Sequence, residues 1–412
     1  MSFIADKQTT DDLNLTGRYR ADSIFSLFNR CRLSGGEQLL ESMFRTPLTD
    51  RAAISRRVDL LQYFRQQALH IPFNNEQLNK AKDYIEQGTA SSHRPVAALL
   101  LWKKKVMETT VKDEAYSQVV IGIRATILLL QQLQQVIQPL DERGPFREQL
   151  TVVKDLLNNE AITGMLRLKP GDRLSLQDVV RYDHVLKHTC SESLEQVIQV
   201  IYELDVYTAV AAVAEEYGFH FANALPAEDD RLQITGLYHP RIAAGVAVPN
   251  DLSLDANMNT YFLTGANMAG KSTFMKAFGI AIYLAHMGFP VAARSMEFSV
   301  REGLYSSINV ADNLAMGYSH FYAEVLRVKK VAEDVSSGKR LVVLFDELFK
   351  GTNVKDAYDA TLAVTRSFTD FHRCWFLVST HITEVGQALE SNTHVQYGYL
   401  PTIMEGSVPR YT

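Results

Sequence analysis

The sequence predicts an all-helical domain followed by an α/β domain built on a mixed, mostly parallel sheet flanked by helices. Three observations carry that expectation. Up to about Asn223, apolar residues recur at three- and four-residue spacing with almost no hairpin signals. Beyond it, three apolar runs of strand length (260–264, 340–345 and 375–379) each lead into polar or charged residues. The first run is followed by Gly265-Ala266-Asn267-Met268-Ala269-Gly270-Lys271-Ser272, the spacing G-x-x-x-x-G-K-[ST], and then by an apolar helical stretch at 274–287. The expected domains are residues 1–222 and 231–412, with the Pro226-bearing, acidic stretch 219–230 between them.

Taken in order, Asp22 or Ser23 caps a helix carrying Ile24, Phe25, Leu27 and Phe28. Ser34-Gly35-Gly36-Glu37 restarts a helix that stops before Pro47, and Ile54, Val58, Leu61 and Phe64 share the face of the next. Two long helices are expected at about 115–138 and 176–217, separated by turns at 141–145 and 170–172. The second ends in an alanine-rich stretch suited to close helix packing.

In the second half the chemistry concentrates. Glycines at both ends of the 265–272 loop let the backbone N–H groups turn toward phosphate oxygens, and the following helix adds its positive end. Lys271 neutralises the β- and γ-phosphates, Ser272 offers a hydroxyl to Mg²⁺, and Thr273 completes the nucleotide-binding stretch. The run 340–345 ends in Asp346-Glu347, two carboxylates at a strand edge; in P-loop ATPases the first holds Mg²⁺ and the second polarises water. The run 375–379 ends in Thr380-His381, where a histidine can bond a γ-phosphate or the attacking water. Together these point to ATP hydrolysis or an ATP-gated switch.

Composition bounds the alternatives. A net charge of −5 provides no bulk attraction to nucleic acid, so DNA contact requires a local basic patch. Trp102-Lys103-Lys104-Lys105 is the densest, and a lysine run of this kind also reads as a solvated helix face. The longest apolar stretch, 119–130, is interrupted by Gly122, Arg124 and Thr126 and is short for a bilayer. Cys31, Cys190 and Cys374 form neither a metal spacing nor an even disulfide set, and the N-terminus has no leader pattern, so a reduced, cytoplasmic setting without membrane association is expected.

The order GANMAGKST, VADNLAMGYSHF, LVVLFDELFKGTN, FLVSTHITE resembles the MutS family of mismatch-repair ATPases, a branch of the ABC ATPases. Tyr238-His239-Pro240, Val248-Pro249-Asn250-Asp251, Pro290-Val291-Ala292-Ala293 and, earlier, Asp22-Ser23-Ile24-Phe25, Gly35-Gly36-Glu37-Gln38 and Glu203-Leu204-Asp205-Val206 extend the resemblance to nearly the whole chain. It implies a helical core and lever joined to an ABC-type ATPase domain, with ATP and Mg²⁺ as cofactors. By position it makes Glu347 the catalytic base and His381 the phosphate sensor; Asp312 and Ser319 match residues that face the partner subunit's nucleotide, which implies a homodimer with composite sites. Action on DNA in mismatch or other repair is the implied role. An ATP-gated scaffold whose helices bind a protein partner stays open beside it, and a P-loop kinase or GTPase fits less well because no Asn-Lys-x-Asp motif follows the loop.

The departures are specific. The resemblance starts at the helical core, so mismatch sensing by the family's wedge-bearing domain is not expected. The stretch 141–174 is short for the family's inserted DNA clamp. Ala247 stands where an aromatic stacks on adenine, Phe349 where the family has glycine, and Asn353 where it has serine.

Overall fold

The computed structural model describes the 412-residue chain except residues 1, 18–19, 68, 88–93, 112–113, 170, 244, 266–268, 309–319, 401, 406–407 and 412. The chain forms two compact units, one helical (Arg30–Leu40 and Tyr63–Ala209) and one α/β (Met1–Asn29, Glu41–Gln62 and Val210–Thr412). The α/β unit thus takes in N-terminal residues and the stretch 219–230, which residue order alone places elsewhere.

In the helical unit, the helix Ala115–Ile137 buries Ile123, Leu130 and Leu133 and packs against Asn75–Glu86. Gly122 permits that approach, since a Cβ there would lie 2.3 Å from the Tyr84 ring. The single helix expected at 176–217 is instead Leu176–His184 and Ser191–Tyr217, with a π-helical turn at Val185–Thr189 between them. Buried polar groups gather at the interruption: the Tyr84 hydroxyl donates to Asp183 Oδ1 at 2.8 Å, and Lys187 lies 3.4 Å from the same oxygen. Burial pushes the Lys187 ammonium below its ordinary range while Asp183 opposes that shift. Hydrophobic periodicity is blind to such a partner, because it lies on another helix. Helices Ala115–Ile137 and Ser191–Tyr217 are long and apolar enough to cross a membrane, against the expectation from the stretch 119–130. They bury 56% and 72% of their most apolar windows, which is the behaviour of core helices.

Asp205 closes a second buried knot of the helical unit. Its carboxylate accepts from the backbone N–H of Arg32 at 3.0 Å and of Leu33 at 2.9 Å, where the helix Ser34–Arg45 begins. Gly36 is required there, because a Cβ would meet Asp205 Oδ2 at 2.2 Å.

The α/β unit centres on five parallel strands: β1 (Thr260–Thr264), β2 (Gly303–Ser307), β3 (Leu341–Asp346), β4 (Trp375–Ser379) and β5 (Val395–Tyr399), in the order β5-β1-β4-β3-β2. All five residues of β4 and all six of β3 are buried, which is why both read as unbroken apolar runs. Among the described residues, four α-helices follow strands of this sheet: α1 (Lys271–His286), α2 (His320–Ser336), α3 (Val354–Phe368) and α4 (Thr383–Leu389). Phe368 of α3 stacks on Phe376 of β4 at 5.0 Å and on Phe345 of β3 at 5.8 Å, tying helix to sheet. A mixed four-stranded sheet, ordered Asn223–Leu225, Ser295–Ser299, Leu232–Leu237, Asn250–Leu254, completes the unit with a hairpin at Thr402–Glu405 and Val408–Tyr411.

The chain's own start covers the β2 edge. Ile4 bridges to Gly303 in parallel, donating from its N–H to Glu302 at 2.8 Å and accepting from Leu304 at 2.8 Å. Asp6 pairs with Arg327 of α2, and Asp12 accepts from the Ser306 hydroxyl and the Ile308 N–H. The Arg327 guanidinium and the Thr9 bonds outweigh burial and hold the Asp6 carboxyl well below the usual range.

Candidate active site

The loop between β1 and α1 turns on its two terminal glycines. Gly265 has φ 150° and Gly270 φ 89°, conformations that a side chain disfavours, and a Cβ on Gly265 would approach Leu400 O to 2.8 Å. Gly270 precedes the first residue of α1, so the backbone donors of that helix start open on the loop. Ala266, Asn267 and Met268 lie outside the described residues, as do Asp312 and Ser319. Lys271 is buried and donates to Gly265 O at 2.8 Å, folding its ammonium over the loop.

Parallel pairing brings the strand ends together. The Ser272 hydroxyl donates to Asp346 Oδ2 at 2.5 Å. Asp346 is 8% exposed, and its other oxygen, Oδ1, is buried without a hydrogen-bond partner. Burial pushes this carboxyl up, and the Ser272 and Ser379 hydroxyls pull against that. A hydroxyl beside a carboxylate with an unpartnered oxygen is an all-oxygen donor pair, the kind that Mg²⁺ takes together with phosphate and water ligands. Among the described residues there is no cluster of three or more His, Cys, Asp or Glu side chains suited to a metal ion.

Glu347 leaves β3 with φ 49°, its N–H donating to Ser379 O of β4 at 2.8 Å. This turn places Glu347 among the residues that line a cavity. His381, half exposed beyond β4, lies with Nδ1 3.8 Å from Glu347 Oε1, close but beyond hydrogen-bond distance.

Lys271, Ser272, Thr273 and Glu347 line a cavity of about 630 Å³, together with Tyr238, His239, Val246, Ala247, Val248 and Asn250. The volume suits a nucleotide-sized molecule, and the lining combines charged and polar groups with apolar ones. His239, one of the cavity residues to which the sequence assigns no role, is held by a local hydrogen bond. Its Nδ1 accepts from the Arg241 N–H at 3.2 Å, so a proton sits on Nε2. Burial, with Lys276 and Arg241 adding, pushes the imidazole down to about 4 and keeps it neutral. The only local signal was an aromatic-histidine-proline triplet placed before the loop.

Two family models match the chain: MutS domain III over residues 8–211 and MutS domain V over residues 261–404. A DNA mismatch repair protein MutS of Thermus aquaticus is 26% identical over 455 aligned positions, covering 91% of this chain and 55% of the relative. The protein of the same name from Thermus caldophilus is 25% identical over 88% of this chain and 53% of its own length. One from Bacillus cytotoxicus is 32% identical over 52% of this chain and 24% of its own. The chain spans about half the length of the curated relatives that it matches end to end.

Proposed function

This chain belongs to the MutS family, and from that premise we propose that its α/β unit binds and hydrolyses ATP with Mg²⁺. The observation that supports this most is that Lys271, Ser272 and Glu347 line one nucleotide-sized cavity and that the half-partnered Asp346 carboxylate is bonded to the Ser272 hydroxyl. Lys271 and the N-terminal N–H groups of α1 hold phosphate oxygens; Ser272 and Asp346 hold the ion, whose chemistry when bound is charge neutralisation on the transferring phosphate. Glu347 takes the proton of the attacking water, and His381, within reach of Glu347, senses the phosphate. Asp312 and Ser319 serve the nucleotide of a second subunit, which makes the working form a homodimer. Action on DNA during repair, in a cytoplasmic setting, is carried by family membership alone.

A second reading has an observation of its own. The helix Arg94–Val111 exposes Val96, Leu99, Trp102 and Val106, with Leu99 64% and Trp102 54% exposed, beside Lys103, Lys104 and Lys105. An apolar stripe of that kind fits a protein partner and favours an ATP-gated scaffold. Hydrolysis measured over a salt series with duplex, mismatched, branched and single-stranded DNA separates the two. Stimulation by a DNA structure that fades with salt supports the repair reading, and indifference to every DNA supports the scaffold. Lys271→Ala is expected to abolish nucleotide binding. Retention of full hydrolysis by that variant would overturn the proposed site.

A further inference from the structure

Phe349 sits in a backbone conformation that suits glycine. Its φ is 62°, in the left-handed region, and Glu347 two residues earlier has φ 49°. A bulky side chain is rare there, because its Cβ crowds the following carbonyl, and such a residue persists only where its surroundings over-determine it. The surroundings here are specific. The Phe349 ring is 3% exposed, belongs to the apolar cluster that includes Val331, Phe345 and Leu348, and meets Phe321, in the first turn of α2, with centroids 5.7 Å apart. The segment it anchors is fixed at both ends: Glu347 N–H on Ser379 O at 2.8 Å, and Asn353 Oδ1 capping α3 through the Asp356 N–H at 2.9 Å. Between those anchors Lys350 and Gly351 are open to solvent, so Leu348 and Phe349 are the apolar pegs of the segment, and Phe349 is the one whose ring meets Phe321 of α2.

We propose that Phe349 is a positioning residue that ties Glu347 to the first turn of α2, so that turnover answers to the placement of that turn. The proposal rests on the ATPase reading. A glycine at 349 would hold the same backbone without strain, but it would remove the ring contact between the Glu347 segment and the first turn of α2. What the phenylalanine adds is the link, at a conformational cost that packing alone would not require.

The test is a double-mutant cycle on Phe349 and Phe321, with nucleotide affinity, single-turnover hydrolysis and thermal unfolding read on each variant. Phe349→Gly keeps the backbone and is expected to fold and to bind ATP as the parent does, while its hydrolysis rate falls roughly 10- to 100-fold. Phe321→Ala should show the same split, the double variant should be no slower than the slower single one, and Phe349→Leu should recover most of the rate. Multiplicative losses in the double variant, or losses of affinity and stability without a change in rate, overturn the proposal. Hydrolysis that survives Lys271→Ala overturns the functional reading and this proposal with it, whereas Lys271-dependent hydrolysis unchanged by Phe349→Gly overturns the proposal alone.

Discussion

The two units bury polar groups for opposite ends. In the helical unit, Asp205 and Asp183 are enclosed and given donors: two backbone N–H groups for one, the Tyr84 hydroxyl and Lys187 for the other. In the α/β unit, Asp346 is enclosed with one oxygen accepting from Ser272, itself a cavity-lining residue, and the other left without a hydrogen-bond partner. A satisfied buried carboxylate locks a structure, whereas a half-satisfied one is poised for a ligand. The family resemblance identified residues around both kinds, and only the hydrogen-bond accounting separates them.

The largest test of that contrast is Glu347→Gln. Hydrolysis should fall by about 10² to 10⁴ while ATP still binds, as read by rapid-quench turnover beside equilibrium binding. Helical-unit stability, followed by peptide-resolved hydrogen exchange, should not move. Asp205→Ala should do the reverse. It strands the Arg32 and Leu33 N–H groups and is expected to cost the helical unit about 3 kcal/mol with nucleotide affinity intact. A comparable loss of affinity in that variant would break the contrast.

Acid should act on the α/β unit through the wholly buried His286 and the partly buried His239. His286, wholly buried with Nε2 accepting from the Arg301 N–H, is pushed down from 6.5 to about 4 by burial, and His239 is pushed down likewise. The unfolded chain therefore takes up protons between those pH values that the folded unit refuses. Stability is fully present above about pH 6.5 and falls as pH drops toward 4, by about 3 kcal/mol for His286. Denaturant unfolding of the α/β unit at pH 7 and pH 5 measures it, and His286→Gln should flatten the dependence. The smallest expected effect is equal in the two units. Asn74→Ala and Asn353→Ala each remove a helix cap, bonded to Gln77 N–H and Asp356 N–H, and each should cost about 1 kcal/mol in its own unit only.

These differences also mark what was legible beforehand. β1, the loop and α1 are contiguous, so spacing and period revealed them together, and unbroken apolar runs revealed β3 and β4. Gly35-Gly36 announced a helix start, but the reason for Gly36, the Asp205 carboxylate against it, lies far along the chain. The π-helical turn at Val185–Thr189 was invisible because its polar partners come from Tyr84 and from buried positions that keep helical spacing. Phe349 showed in the sequence as a departure from glycine, and only the backbone showed that the glycine conformation had stayed.

The Ile4 bridge to Gly303 bears on how the chain is made. During synthesis Ile4 leaves the ribosome about 300 residues before Gly303, and it must wait unpaired until that strand has followed. Long-range closure of this kind is slow, and until it occurs β2 presents an open row of N–H and C=O groups to any neighbouring strand. A fragment that starts at residue 231 would keep that edge open permanently. Such a fragment is expected to aggregate, and adding residues 1–29 in trans should suppress the aggregation.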